Sequence, residues 1–130
     1  MSEVTAKRIL VVEDDAGVRT VLALQLRTRD YAVLTAADGA DGFKALQAEL
    51  PDCVVLDLMM PVLDGFGLLK RIRSVGRLAA LPVIILTASE DDRNRLRSQT
   101  YQADAYLSKP YQLDELIETI ERVTARRAES

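Results

Sequence analysis

Four apolar runs in this chain end in groups that do chemistry. Ile9-Leu10-Val11-Val12 runs into Glu13-Asp14-Asp15, and Cys53-Val54-Val55-Leu56 runs into Asp57. Val83-Ile84-Ile85-Leu86 ends in Thr87, and Tyr106-Leu107-Ser108 ends in Lys109. A charge after such a run is costly unless it is paired, hydrogen-bonded or bound to metal. If the four runs are neighbouring parallel strands, one sheet edge gathers several carboxylates, a hydroxyl and an ammonium. Glu13, Asp14 and Asp57 then repel one another, which raises at least one pKa unless a cation answers them. A divalent cation does so and keeps them ionised. Magnesium wants near-octahedral oxygen ligation and keeps several waters; two carboxylates, one backbone carbonyl and waters satisfy it. With Lys109 facing the same space, the edge suits an incoming phosphoryl group, whose equatorial oxygens carry the developing charge. Aspartate is a competent nucleophile for that group, and Thr87 has a hydroxyl to donate to a phosphoryl oxygen.

Each residue taken alone has a plainer explanation. Asp14 or Asp15 after a strand suits a helix cap. Thr87 suits an ordinary strand end, Lys109 a solvated loop, and Tyr106 a core aromatic. Four strand ends carrying acid, acid, hydroxyl and ammonium are hard to explain as four accidents.

Composition narrows the chemistry further. The chain has 130 residues, a single domain's worth, and is 48% hydrophobic with a formal net charge of −3. That balance argues against direct nucleic-acid binding, which needs clustered Lys and Arg. The arginines at 93, 95 and 97, and at 122, 126 and 127, are interleaved with acids and read as solvated helix faces. No apolar run approaches the roughly 18 residues of a membrane span, and Met1-Ser2-Glu3-Val4 lacks a signal peptide's apolar stretch. A cytoplasmic protein without membrane contact is expected. The single cysteine, Cys53, excludes an internal disulfide and a cysteine metal cluster, and its apolar run reads as a buried inert thiol. The absence of histidine removes imidazole ligands, a Ser-His or Cys-His pair and the commonest general base. Any metal should be hard and oxygen-loving: Mg²⁺, with Mn²⁺ as a substitute.

Strands and helices alternate five times. The first strand is expected over about Arg8–Glu13. A helix follows over Ala16–Arg29, with Val18, Val21, Leu22 and Leu26 at helical spacing. Tyr31–Ala36 reads as a short strand, Asp38-Gly39 as a turn, and Asp41–Leu50 as a helix ended by Pro51. Cys53–Leu56 lacks polar alternation, as a strand covered on both faces should. Asp64 suits the cap of a helix running to about Val75, closed by Gly76. Pro82–Leu86 is the fourth strand, Glu90–Thr100 a polar helix with little apolar stripe, and Ala105–Leu107 a short fifth strand. Leu113, Leu116, Ile117, Ile120 and Val123 mark the clearest amphipathic helix, the last one. This order predicts an α/β fold: a parallel sheet with helices on both faces and right-handed crossovers. Such sheets bind ligands at the carboxyl ends of strands, where all the singled-out residues lie.

These residues resemble the response-regulator receiver domain of two-component signalling. The likeness rests on Leu10-Val11-Val12-Glu13-Asp14-Asp15, Val55-Leu56-Asp57-Leu58-Met59-Met60-Pro61, Asp64-Gly65, Ile85-Leu86-Thr87-Ala88 and Tyr106-Leu107-Ser108-Lys109-Pro110-Tyr111, and covers nearly the whole chain. It implies a flavodoxin-like, doubly wound five-stranded sheet in the order 2-1-3-4-5, one domain over 1–130 with its core over about 8–126. It implies Asp57 as phospho-acceptor. Asp14, Asp57 and the backbone carbonyl of Met59 become ligands of Mg²⁺, with Glu13 acting through a water. Lys109 and Thr87 bind the phosphoryl group, Thr87 and Tyr106 form the switch pair, and the Lys109–Pro110 bond is cis. The donor implied is a histidine kinase, a phosphotransfer protein or a small phosphodonor. The partner implied on the output side is a downstream effector protein or a fused output domain. The domain is a signalling switch rather than an enzyme, catalysing its own phosphorylation and dephosphorylation, and the output face is the Glu90–Thr100 helix, the fifth strand and the last helix.

Some positions depart from the family. Gln102 stands where glycine is common, and Gly67 where an acid is common. Of the charged set that pairs receivers attached to winged-helix DNA-binding domains, Asp104 and Glu115 fit while Ala105 and Thr119 do not. Three rival functions are weaker. A haloacid-dehalogenase-type phosphatase needs a second Asp two positions after the nucleophile, where this chain has Met59. A dinucleotide-binding domain needs a glycine-rich first turn, whereas Glu13-Asp14-Asp15 repels a pyrophosphate. A docking-only pseudo-receiver has no need of the intact acids, Thr87 and Lys109.

Overall fold

The computed structural model describes residues 6–57, 65–87, 91, 94 and 101–129. In chain order these form β1 (Arg8–Val12), α1 (Ala16–Arg27), β2 (Ala32–Ala36), α2 (Gly39–Ala48), β3 (Cys53–Asp57) and α3 (Gly65–Ser74). A 3-10 turn (Gly76–Leu78), β4 (Val83–Thr87), β5 (Ala105–Ser108) and α4 (Leu113–Glu129) follow. The helix expected over Glu90–Thr100 falls outside the described residues except for Asp91 and Asn94, which are helical. Met59, Asp64 and Ala88 also lie outside them.

The sheet is parallel throughout, in the order β2-β1-β3-β4-β5. The parallel sheet is the one expected from the sequence pattern, and its order is the one the family resemblance implies. β3 and β4 are buried at every position, so the unbroken apolar runs that precede Asp57 and Thr87 reflect cover on both faces. The edge strands read differently: β2 is mostly exposed, and β5 alternates between buried and half-buried positions. One core packs Leu46 of α2 and Leu68, Leu69 and Ile72 of α3 against Leu10, Val12, Val54, Leu56, Val83 and Ile85. The other packs Leu22 and Leu26 of α1 and Leu116, Ile120 and Val123 of α4 against Ile9, Val11, Cys53, Val55, Ile84 and Leu86. Among the described residues no helix is long and apolar enough to cross a membrane.

Several local expectations are corrected. α1 buries Leu22, Ala23 and Leu26, but Val18 and Val21 are 44% and 55% exposed. Helical spacing places residues on a common stripe; it does not say how far along that stripe the sheet extends. α2 starts at Gly39 because the Asp38 carboxylate accepts the Asp41 N–H at 2.8 Å, capping the helix two residues earlier than expected. Gly76 does not close α3 in a left-handed conformation; it opens the 3-10 turn, and none of the described glycines has positive φ.

Gly42 of α2 sits where a Cβ would lie 3.1 Å from Val12 Cγ2 and 3.2 Å from Leu68 Cδ2. Glycine thus lets α2 approach β1 closely, just below Glu13. Gly42→Val is expected to cost about 1–3 kcal/mol through overpacking, read as a lower urea midpoint with an unchanged denaturant slope.

At the amino-terminal edge of the sheet, the carboxylates have structural partners. Asp52 accepts the Arg8 N–H at 2.7 Å, and Asp104 accepts the Val83 N–H at 2.8 Å. Arg73 of α3 donates to Asp104 at 2.9 Å, to the Gln102 carbonyl at 2.9 Å and to the Leu81 carbonyl at 2.7 Å, fastening α3 to the start of β5. Asp104 is therefore engaged within its own chain. Glu121 of α4 accepts from Tyr31 and from Lys7, and these contacts hold its carboxyl below the usual range.

Candidate functional site

The carboxyl-terminal ends of β1, β3, β4 and β5 meet in one place. β1 pairs with β3, β3 with β4 and β4 with β5, so Glu13, Asp57, Thr87 and Lys109 follow or end four adjacent strands. The Lys109 N–H donates to the Thr87 carbonyl at 2.8 Å, extending the β4–β5 ladder to the site. Thr87 is fully buried and Asp57 is 9% exposed. The Lys109–Pro110 peptide bond is cis.

Carboxylate oxygens of Glu13, Asp14 and Asp57 lie within 4.8 Å of one another, with Asp14 exposed and the other two buried. Lys109 Nζ lies 3.3 Å from Asp57 Oδ2 and 3.9 Å from Glu13 Oε1. Glu13 Oε2 accepts the Asp15 N–H at 3.2 Å, while buried Oε1 has no hydrogen-bond partner among the described residues. Burial pushes the Glu13 carboxyl up to about 7; the Asp15 amide opposes the rise and the charge of Asp57 adds to it. The Tyr111 hydroxyl is also raised, first by burial and then by the charges of Glu13 and Asp57. A buried carboxylate oxygen that accepts no hydrogen bond among the described residues, beside two further carboxylates, suits a hard divalent cation on oxygen ligands. Glu13, Asp14 and Asp57 are the residues present that would hold it.

The turn that carries the acids is braced from several sides. Asp15 is the α1 cap, accepting the Val18 N–H at 2.9 Å, so of the two adjacent aspartates it is Asp15 that does the capping and Asp14 that stands in the acidic cluster. Arg19 reaches back from α1 and donates to the Glu13 carbonyl at 2.8 Å and, more weakly, to the Asp14 carbonyl at 3.4 Å. Sequence reasoning passed over Arg19; its place one turn into a helix that starts beside an acidic turn was the available signal. Arg19→Met is expected to cost about 1–2 kcal/mol and to move the amide resonances of Glu13, Asp14 and Asp15 more than those of β3.

Val18, Val21 and Leu22 of α1 form an apolar groove of about 510 Å³ with Lys109, Pro110 and Tyr111, beside the acid cluster. Tyr106 is half-buried against the α2–α3 side of the sheet. Ala105 and Leu107 face the other core, as strand alternation requires. The Met59 carbonyl expected as a ligand falls outside the described residues.

Residues 9–121 match the family model described as the response regulator receiver domain. The chain is 41% identical over 121 residues to the transcriptional regulatory protein AfsQ1 of Streptomyces coelicolor, covering 93% of this chain and 52% of that protein. It is 42% identical over 110 residues to the response regulator MprA of Mycolicibacterium vanbaalenii, covering 85% and 47% respectively. It thus spans about half the length of the curated relatives it matches. Among solved structures, a response regulator from Chloroflexus aurantiacus superposes with a TM-score of 0.85 at 32% identity, covering 92% of this chain and 98% of that one. The chemotaxis response regulator CheY4 of Vibrio cholerae superposes with a TM-score of 0.81 at 29% identity, covering 92% and 99%.

Proposed function

The chain belongs to the response-regulator receiver family of two-component signalling, and from that membership we propose that it is a phosphorylatable switch with Asp57 as acceptor. The observation that carries the reading is the placement of Lys109 Nζ 3.3 Å from Asp57 Oδ2, with the Glu13, Asp14 and Asp57 oxygens within 4.8 Å of one another. An Asp57 oxygen attacks phosphorus; the new O–P bond forms as the bond from phosphorus to the donor breaks. The Lys109 ammonium offsets charge on the phosphoryl oxygens, and the Thr87 hydroxyl donates to one of them. When bound, Mg²⁺ supplies further positive charge to those oxygens; Asp14, Asp57 and the Met59 carbonyl would hold it directly and Glu13 through a water, with Mn²⁺ as a substitute.

The donor we propose is a histidine kinase or phosphotransfer protein, with small phosphodonors as alternatives, in the cytoplasm. The domain catalyses its own phosphorylation and slow dephosphorylation and does not turn over an external substrate. Relatives named as transcriptional regulators support an output through a fused domain or a separate effector, the receiver itself making no contact with nucleic acid or membrane. Incubation with acetyl phosphate and Mg²⁺ tests the reading: intact mass should show one added phosphoryl group, lost slowly after donor removal and never gained in EDTA. Absence of any labelling in Mg²⁺ would remove the proposal.

A further inference from the structure

We propose that Gln102 is a positioning residue that latches Tyr106 in its resting conformation and so sets how readily the domain switches. The inference rests on the receiver reading above and on the Thr87–Tyr106 switch pair that the family resemblance implies. The Tyr106 hydroxyl donates to Gln102 Oε1 at 2.8 Å and accepts the Ala103 N–H at 3.0 Å, so donor and acceptor functions are both satisfied by one short segment. That segment is itself anchored: Arg73 of α3 donates to the Gln102 carbonyl and to Asp104. The side chain of Gln102 therefore presents its acceptor from a fixed base.

The direction of the latch follows from strand register. Ile85 pairs with Tyr106 and Thr87 with Ser108. Thr87 thus lies toward the carboxyl edge from the level of Tyr106, on the same face by alternation. Gln102 and Ala103 precede β5 and lie toward the opposite edge. A ring whose hydroxyl is held at Gln102 and Ala103 points away from Thr87. Turning it toward the space behind Thr87 breaks both hydrogen bonds. A contact made only in the resting conformer weakens any ligand that selects the other one, by the same factor as it stabilises the first. Glycine at this position has no side chain to form the latch.

The test uses the intact chain with Mg²⁺ and beryllofluoride as a phosphoryl mimic. Gln102→Leu keeps the bulk and removes the acceptor; Gln102→Glu keeps an acceptor. Gln102→Leu is expected to bind beryllofluoride about threefold to tenfold more tightly, the size of one net hydrogen bond, with Gln102→Glu close to the wild type. In the free Gln102→Leu protein the Tyr106 ring resonances should move along the line joining the free and beryllofluoride-bound positions of the wild type, a change that mere loosening of the fold does not produce. Equal affinity of Gln102→Leu and wild type, with Tyr106 resonances unmoved, would overturn the latch while leaving the receiver reading intact. Failure of the wild type to bind beryllofluoride in Mg²⁺ would overturn both.

Discussion

Asp57→Asn should take up no phosphoryl group from acetyl phosphate under conditions that label the wild type to completion. The amide keeps the shape of the side chain at the end of β3 but is a far poorer nucleophile and carries no charge for a cation. Lys109→Met should still be labelled, at a rate lower by about a hundredfold or more, the usual loss when one preorganised charge-stabilising group is removed. Lys109 is the cation placed 3.3 Å from Asp57, and its loss removes charge compensation without removing the attacking atom. Time courses of intact mass separate the two variants: a flat line for Asp57→Asn and a slow rise for Lys109→Met. Labelling of Asp57→Asn at the wild-type rate would place the acceptor elsewhere.

The metal-free protein should lose stability as pH rises from about 4.5 to about 7. Glu13 is the cause. Burial first, and the neighbouring Asp57 charge with it, push its carboxyl from 4.5 to about 7 in the folded state. Between those values the folded chain holds a proton that the unfolded chain has released, so stability is full below the unfolded pKa and declines until the folded pKa is passed. A shift of that size corresponds to about 3 kcal/mol. Urea titrations in EDTA across this range should show the decline, and Glu13→Gln should flatten it. Mg²⁺ should oppose the loss, because a cation that binds the ionised cluster stabilises the folded state by mass action. Asp14→Asn and Asp57→Asn should each stabilise the metal-free fold modestly and respond less to Mg²⁺. A pH-independent stability in EDTA, or equal Mg²⁺ shifts in melting temperature for all these proteins, would contradict a shared site.

Part of this architecture is legible in the amino-acid sequence. Unbroken apolar runs and helical stripes are enough to read the alternation of the described strands and helices, because they leave few other arrangements. The sequence also marked which strand ends would meet: Glu13, Asp14, Asp57, Thr87 and Lys109 stand at discontinuities between apolar and polar residues, and parallel strands bring such ends together. The order of the strands came only through family likeness, since nothing in five apolar runs states which one lies in the centre. Other features depend on contacts between distant segments. Val18 and Val21 share a stripe with Leu22 and Leu26, yet only the latter two are buried, because burial depends on where the sheet ends beneath α1. Asp14 and Asp15 are the same residue type in adjacent positions; the backbone turn at the start of α1 made Asp15 the cap and put Asp14 in the acidic cluster. Asp52 and Asp104 look no different in sequence from the site acids, but accept strand-opening amides at the far edge. The raised Glu13 carboxyl, the reach of Arg19 to the acidic turn and the hold of Gln102 on Tyr106 depend on distances between side chains. Local sequence sets which group is present and which way the chain runs, whereas burial and charge pairing are set by segments that meet only once the chain has folded.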